Sequence, residues 1–79
     1  MRFNTLHEVI VTIENDMLNR KVKYVEDEKP EWMFHTLNYG ETKRISFPIT
    51  KNGKLLKEWY HTTIQRMESG YYELINYIN

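Results

Sequence analysis

The side chains best suited to proton transfer or metal ligation are three histidines, His7, His35 and His61. They lie far apart in the chain and in three different expected elements, so no ligand spacing links them. Glu58 and His61 stand three residues apart. On a helix this Glu-x-x-His arrangement puts a carboxylate and an imidazole one turn apart, as in carboxylate-bridged metal sites, but those sites draw further carboxylates from neighbouring helices. The helical wheel places His61 on a polar face with Glu58, Gln65 and Glu68, and a solvated or ion-paired histidine is the simpler reading. The run Glu26-Asp27-Glu28-Lys29-Pro30-Glu31 has charge for a cation. It lacks the alternate carboxylates, central Gly and closing Glu of a calcium loop, and reads as a solvated loop that Pro30 keeps irregular.

Nucleophilic and phosphate chemistry find no better footing. There is no cysteine and no Gly-x-Ser-x-Gly, and nothing in the sequence sets a base beside Ser46 or Ser69. Gly40, Gly53 and Gly70 are too dispersed for a Walker or dinucleotide loop. The expectation is a protein that is not an enzyme and takes no cofactor and no metal.

The elements that would position any binding site must come from one domain spanning residues 1–79, since a chain this short has no room for a second core. It buries only about 60 to 65% of its unfolded surface. Without disulfides, the core must rely on two Trp, six Tyr and three Phe, and self-association would add buried surface. Eleven basic residues balance eleven acidic ones, so no global field steers the chain to nucleic acid or an anionic membrane. The longest apolar run, Val9-Ile10-Val11, is far short of a membrane helix, and the N-terminus lacks a signal-peptide core, which makes the cytoplasm the expected location. Alanine is absent while Lys, Asn, Ile and Tyr abound, a mutational bias that fits an A/T-rich bacterial genome or a phage or plasmid within one.

Thr5-Leu6-His7-Glu8 matches a capping box, so a helix is expected to start there with Leu6, Val9, Ile10, Ile13 and Met17 on its buried face. Val22 to Val25 is a short strand. Trp32 to Tyr39 and Lys43 to Ile49 read as a hairpin with Gly40 in its loop, and Pro48 puts the second strand at an edge or at its end. Asn52-Gly53 fits either a type I′ turn or a helix start. Strict alternation fails at Leu55-Leu56 and Trp59-Tyr60, whereas Leu56, Trp59, Tyr60, Thr63, Ile64 and Met67 form a helical face. A second helix is therefore expected from Gly53 to Glu68, stopped by Gly70 and followed by the strand Tyr71 to Ile78. The fold class is α+β: two helices on a mainly antiparallel sheet of three or four strands, in the order α-β-β-β-α-β.

Four residues stand out as an interaction surface. Val11 and Leu18, with His7, form a second apolar strip on the first helix. Tyr71 and Tyr77 share one side of the last strand with Glu73 and Ile75, opposite Tyr72, Leu74, Asn76 and Ile78. The expected function is that of a small binding or regulatory protein acting through contact with a protein partner or with itself as a homodimer. A single-stranded nucleic-acid module using sheet aromatics is the alternative, with Arg20-Lys21-x-Lys23, Lys43-Arg44 and Lys51-x-x-Lys54-x-x-Lys57 as its basic groups.

Overall fold

Thr5 opens the first helix through the first half of the expected capping box. In the computed structural model, which describes residues 2–25 and 36–79, its hydroxyl accepts from the Glu8 N–H at 3.1 Å. The Glu8 carboxylate reaches back one residue further than the capping box expects, to the Asn4 N–H at 2.9 Å and not to that of Thr5. Helix α1 runs Leu6–Asn19 and buries Val9, Ile13 and Met17. Its end has no glycine: Lys21 takes a left-handed φ of 60°, and the Val22 N–H reaches back to the Met17 carbonyl at 3.0 Å, closing the final turn in the Schellman manner.

The strands are β1 (Arg2–Phe3), β2 (Lys23–Tyr24), β3 (Thr42–Lys51), β4 (Lys54–Arg66) and β5 (Tyr72–Ile78). They form one five-stranded sheet, ordered β1-β5-β4-β3-β2, with every pairing antiparallel. The α+β class holds, with one helix and five strands among the described residues. The chain order is β-α-β-β-β-β rather than the expected α-β-β-β-α-β.

The largest correction concerns Gly53 to Glu68, where a second helix was expected and β4 is found. Asn52 and Gly53 both have positive φ, 53° and 77°, the geometry of a type I′ hairpin turn and not of a helix start. From there Tyr60, Thr62 and Ile64 turn inward under α1 while Trp59, His61 and Thr63 turn outward. The doublet Trp59-Tyr60, which broke the expected alternation, is one residue on each face. Leu55-Leu56 sits beside an irregularity, where the register steps from Pro48 opposite Trp59 to Thr50 opposite Leu55. Gly70 (φ 101°) belongs to the turn into β5 and caps no helix.

The second correction concerns the expected hairpin of Trp32 to Tyr39 with Lys43 to Ile49. Residues 32–35 lie outside the described residues, and 36–39 are not strand. The neighbours of β3 are β4 and β2. β2 falls where Val22 to Val25 was expected to be extended, and it pairs only with Ile49 and Thr50. Gly40 does take the left-handed conformation that its loop position suggested, at φ 78°.

The core lies between α1 and one face of the sheet. Val9, Ile13 and Met17 pack in one cluster with Phe47, Ile49, Tyr60, Ile64 and Tyr72. The Phe47 ring sits 5.2 Å from both Tyr24 and Tyr60, adding offset aromatic contacts worth about 0.5–1.5 kcal/mol each beyond simple burial. Thr62 is the buried polar residue of this layer, and its hydroxyl is satisfied by the Asn76 side-chain carbonyl at 2.6 Å.

Candidate binding surface

With α1 on one face of the sheet, the other face belongs to the alternate residues of each strand. From the pairing register these are Trp59, His61, Thr63 and Gln65 of β4, opposite Pro48, Ser46, Arg44 and Thr42 of β3. Tyr77, Ile75 and Glu73 of β5 lie on the far side of β4. Trp59, Ile75 and Tyr77 are 45, 66 and 48% exposed, and Leu55 extends the same face at 67%. For a chain this short such a row of exposed apolar groups is a concentrated patch, and patches of this kind mark interaction sites.

At its centre is a pre-ordered aromatic cluster. The His61 ring stacks on Tyr77 with centroids 4.8 Å apart and planes 20° apart. Both ring nitrogens of His61 are held: Nδ1 lies 2.6 Å from the Ser46 hydroxyl and Nε2 lies 3.1 Å from the Asn79 carbonyl. Because a carbonyl only accepts, Nε2 carries the hydrogen in that contact, leaving Nδ1 to accept from Ser46 in the neutral ring. The Ser46–His61 pair was not visible in the sequence, since the two residues are fifteen apart and meet only through the β3–β4 register. It resembles the nucleophile–base half of a hydrolytic site. It lies on an open sheet face, however, and the hollows by α1 and by the β3–β4 turn are lined by other residues.

Charged side chains occupy both layers. The pairing register places Arg2, Lys23 and Arg44 on the helix-free face, against Glu73, and alternation along β4 between Leu55 and Trp59 sets Lys57 with them. Arg2 lies opposite Glu73 and its guanidinium covers the Tyr71 ring at 4.6 Å, so Lys23, Arg44 and Lys57 remain in excess. Helix α1 carries Glu8, Glu14 and Asp16 and no Lys or Arg, while Arg20 and Lys21 follow at its end and Lys43 and Arg66 lie on the sheet face it covers. Four of the eleven acids, Glu26, Asp27, Glu28 and Glu31, fall with Lys29 in residues 26–35. The described residues hold ten bases and seven acids, with bases on both faces of the sheet.

The four residues singled out in the sequence do not form one surface. Tyr71 and Tyr77 lie on the helix-free side, Tyr71 half-buried beneath Arg2. Val11 and Leu18 are exposed on α1 in the opposite layer, Val11 beside Phe3 and His7, Leu18 beside Val22 and Thr50. Glu58 and His61 are separated to opposite faces of β4 by strand alternation, which removes the Glu-x-x-His geometry. His35 lies outside the described residues, and among the described residues no group of three or more His, Asp or Glu side chains could hold a metal ion. No described helix is long and apolar enough to cross a membrane.

Two tyrosines of the helix-covered layer have shifted acidities. Tyr24 is pushed up to about 12, first by burial and then by the Glu14 carboxylate. Burial raises Tyr60 further still, and its hydrogen bond to Asp16 adds to the effect. Both remain protonated phenols at neutral pH and serve packing and hydrogen bonding. At the opposite end of the sheet, Arg66 stacks on Tyr39 at 4.2 Å and on Tyr72 at 5.3 Å. It donates to the Leu37 carbonyl at 2.8 Å, while its Nε is buried without a partner among the described residues.

No protein-family model matches this chain, and neither a curated protein nor a solved structure matches it.

Proposed function

We propose that the protein is a binding module that takes single-stranded nucleic acid on the helix-free face of its sheet. The observation that carries this reading is the sharing of one sheet face by exposed Trp59 and Tyr77 with Lys23, Arg44 and Lys57. Bases of any sequence can stack on aromatic rings, and cations beside them meet the phosphates. Three phosphate contacts on a single strand give a log–log salt slope of about −2, so affinity falls roughly 15- to 20-fold from 50 to 200 mM salt.

The test is fluorescence anisotropy with a labelled pyrimidine oligonucleotide at low salt. Wild-type protein binds with that slope, and Trp59→Ala weakens binding about tenfold or more, since base stacking on one aromatic is worth about 1–3 kcal/mol. Val11→Ser, exposed on α1 in the opposite layer and remote from Lys23, leaves binding unchanged. Absence of binding at low salt overturns the reading.

A protein partner is the second reading. Leu55 and Ile75 favour it, because both are about two-thirds exposed on this face and are aliphatic groups that base stacking does not use. It predicts a complex that Leu55→Ser and Ile75→Ser weaken and that is nearly insensitive to salt.

A further inference from the structure

Strand β5 is an edge strand over most of its length. β1 pairs with it only at Tyr72 and Glu73, so from Leu74 to Ile78 it has β4 on one side and no described strand on the other. The phase of the ladder shows which backbone groups face out. Trp59 and Asn79 exchange both main-chain hydrogen bonds, at 3.0 and 3.1 Å. In an antiparallel ladder such pairs alternate with unbonded ones. His61 with Tyr77 and Thr63 with Ile75 therefore bond inward, while Leu74, Asn76 and Ile78 turn their N–H and C=O groups to the open edge.

Natural sheets guard such an edge with charge, proline, a bulge or a cover. From Leu74 to Asn79 there is no charged side chain and no proline, and the β4–β5 register is unbroken. We propose that this edge pairs with the same edge of a second copy, β5 antiparallel to β5 about a two-fold axis at Tyr77, joining two five-stranded sheets into one of ten strands.

Three observations select that occupant and that register. The segment is uncharged, so two-fold pairing sets no like charges opposite one another. β1 fills the row beside Tyr72 and Glu73, and an axis at Tyr77 keeps the second copy clear of it, with Asn79 of the copy opposite Ile75. This register places Asn76 opposite Ile78 of the copy, twice by symmetry, and each such pair exchanges two main-chain hydrogen bonds through groups that already face outward. At the axis the two Tyr77 side chains, each backed by its own His61 ring, meet as a close cross-strand aromatic pair. The helix-free faces of both copies then lie on the same side, doubling the width of the exposed surface. None of this rests on the nucleic-acid reading.

A single strand pair buries less than a standard interface of about 1,600 Å², so the dimer is expected to be weak and concentration-dependent. Sedimentation equilibrium from low micromolar to millimolar protein tests it, with cysteine variants of the naturally cysteine-free chain to fix the register. The expected result is a monomer–dimer equilibrium. Under mild oxidation Tyr77→Cys cross-links to its copy, because directly opposed residues have Cα atoms about 4.5 Å apart, while Ile75→Cys does not, its copy lying beyond the reach of a disulfide. Tyr77→Lys, which sets two ammonium groups face to face, weakens the dimer at least about tenfold with an unchanged circular dichroism spectrum. A monomer at all concentrations, equal cross-linking of both cysteine variants, or a Tyr77→Lys protein that still dimerises would each overturn the proposal.

Discussion

The Tyr60 hydroxyl donates to the Asp16 carboxylate at 2.5 Å, joining the middle of β4 to helix α1 across 44 residues of chain. Asp16 also accepts from Arg20 Nε at 2.9 Å, so one carboxylate ties the last turns of the helix to the sheet beneath. Hydrogen bonds to charged acceptors are worth about 1.5–3 kcal/mol. Tyr60→Phe keeps the ring packing against Phe47 and leaves Asp16 its arginine and water. The cost should fall at the low end, about 1.5 kcal/mol, read as a lower urea midpoint with unchanged m-value.

The core under α1 should be far less forgiving. Ile13 and Ile64 are fully buried, and Ile→Ala at such sites costs about 2–5 kcal/mol. At roughly 0.05–0.15 kcal/mol per residue, 79 residues have about 4–12 kcal/mol in all. Either variant is expected to lower the thermal midpoint sharply, as measured by circular dichroism, and the double variant should fail to fold.

Two turn substitutions should act in opposite directions. Gly53 has φ 77° and open space around its Cα, so Gly53→Ala introduces no clash and its cost, about 1 kcal/mol, comes from backbone strain alone. Lys21 holds φ 60° at the end of α1, where glycine is the favoured residue. Lys21→Gly is expected to raise stability by about 0.5–1 kcal/mol in the same urea titration.

Alkaline pH should unfold the protein through its buried phenols. The fold favours the neutral form of Tyr24, raised from an ordinary value near 10 to about 12, and of Tyr60, raised further. Their contribution is complete below pH 10 and is lost as pH climbs through the folded-state values, since the unfolded chain gives up its protons first. Stability should decline from about pH 10 upward, and Tyr24→Phe should make that decline shallower in urea titrations at successive pH values.

The parts of the fold legible in the sequence are those set by local rules. Thr5 and Glu8 mark the start of α1, and Val9, Ile13 and Met17 mark its buried face. The β5 alternation separates Tyr77 and Ile75 from Tyr72, Leu74 and Ile78 correctly. β4 was illegible because Leu56, Tyr60 and Ile64 recur every four residues, a helical spacing that is also an even one, so a strand holds all three on one face. Trp59 completed the helical stripe only because the second sheet face, where it stands, is itself apolar. β1, at two residues, is too short to leave a periodic signal.

What the sequence alone determined is the local chemistry: a capped amphipathic helix, glycines where φ must be positive, an aromatic-rich chain without thiols, and the two sides of β5. Tertiary structure decided the rest. α1 covers one sheet face only, which makes Trp59, Ile75 and Tyr77 a surface rather than a core. The β3–β4 register brings Ser46 to His61, and the β4–β5 register brings His61 to Tyr77. Packing also separated the bases of the strands, setting Lys23, Arg44 and Lys57 away from α1 and Lys43 and Arg66 on the face it covers. Neither a periodicity nor a net charge can report such a separation, because both are blind to which face of a strand the helix occupies.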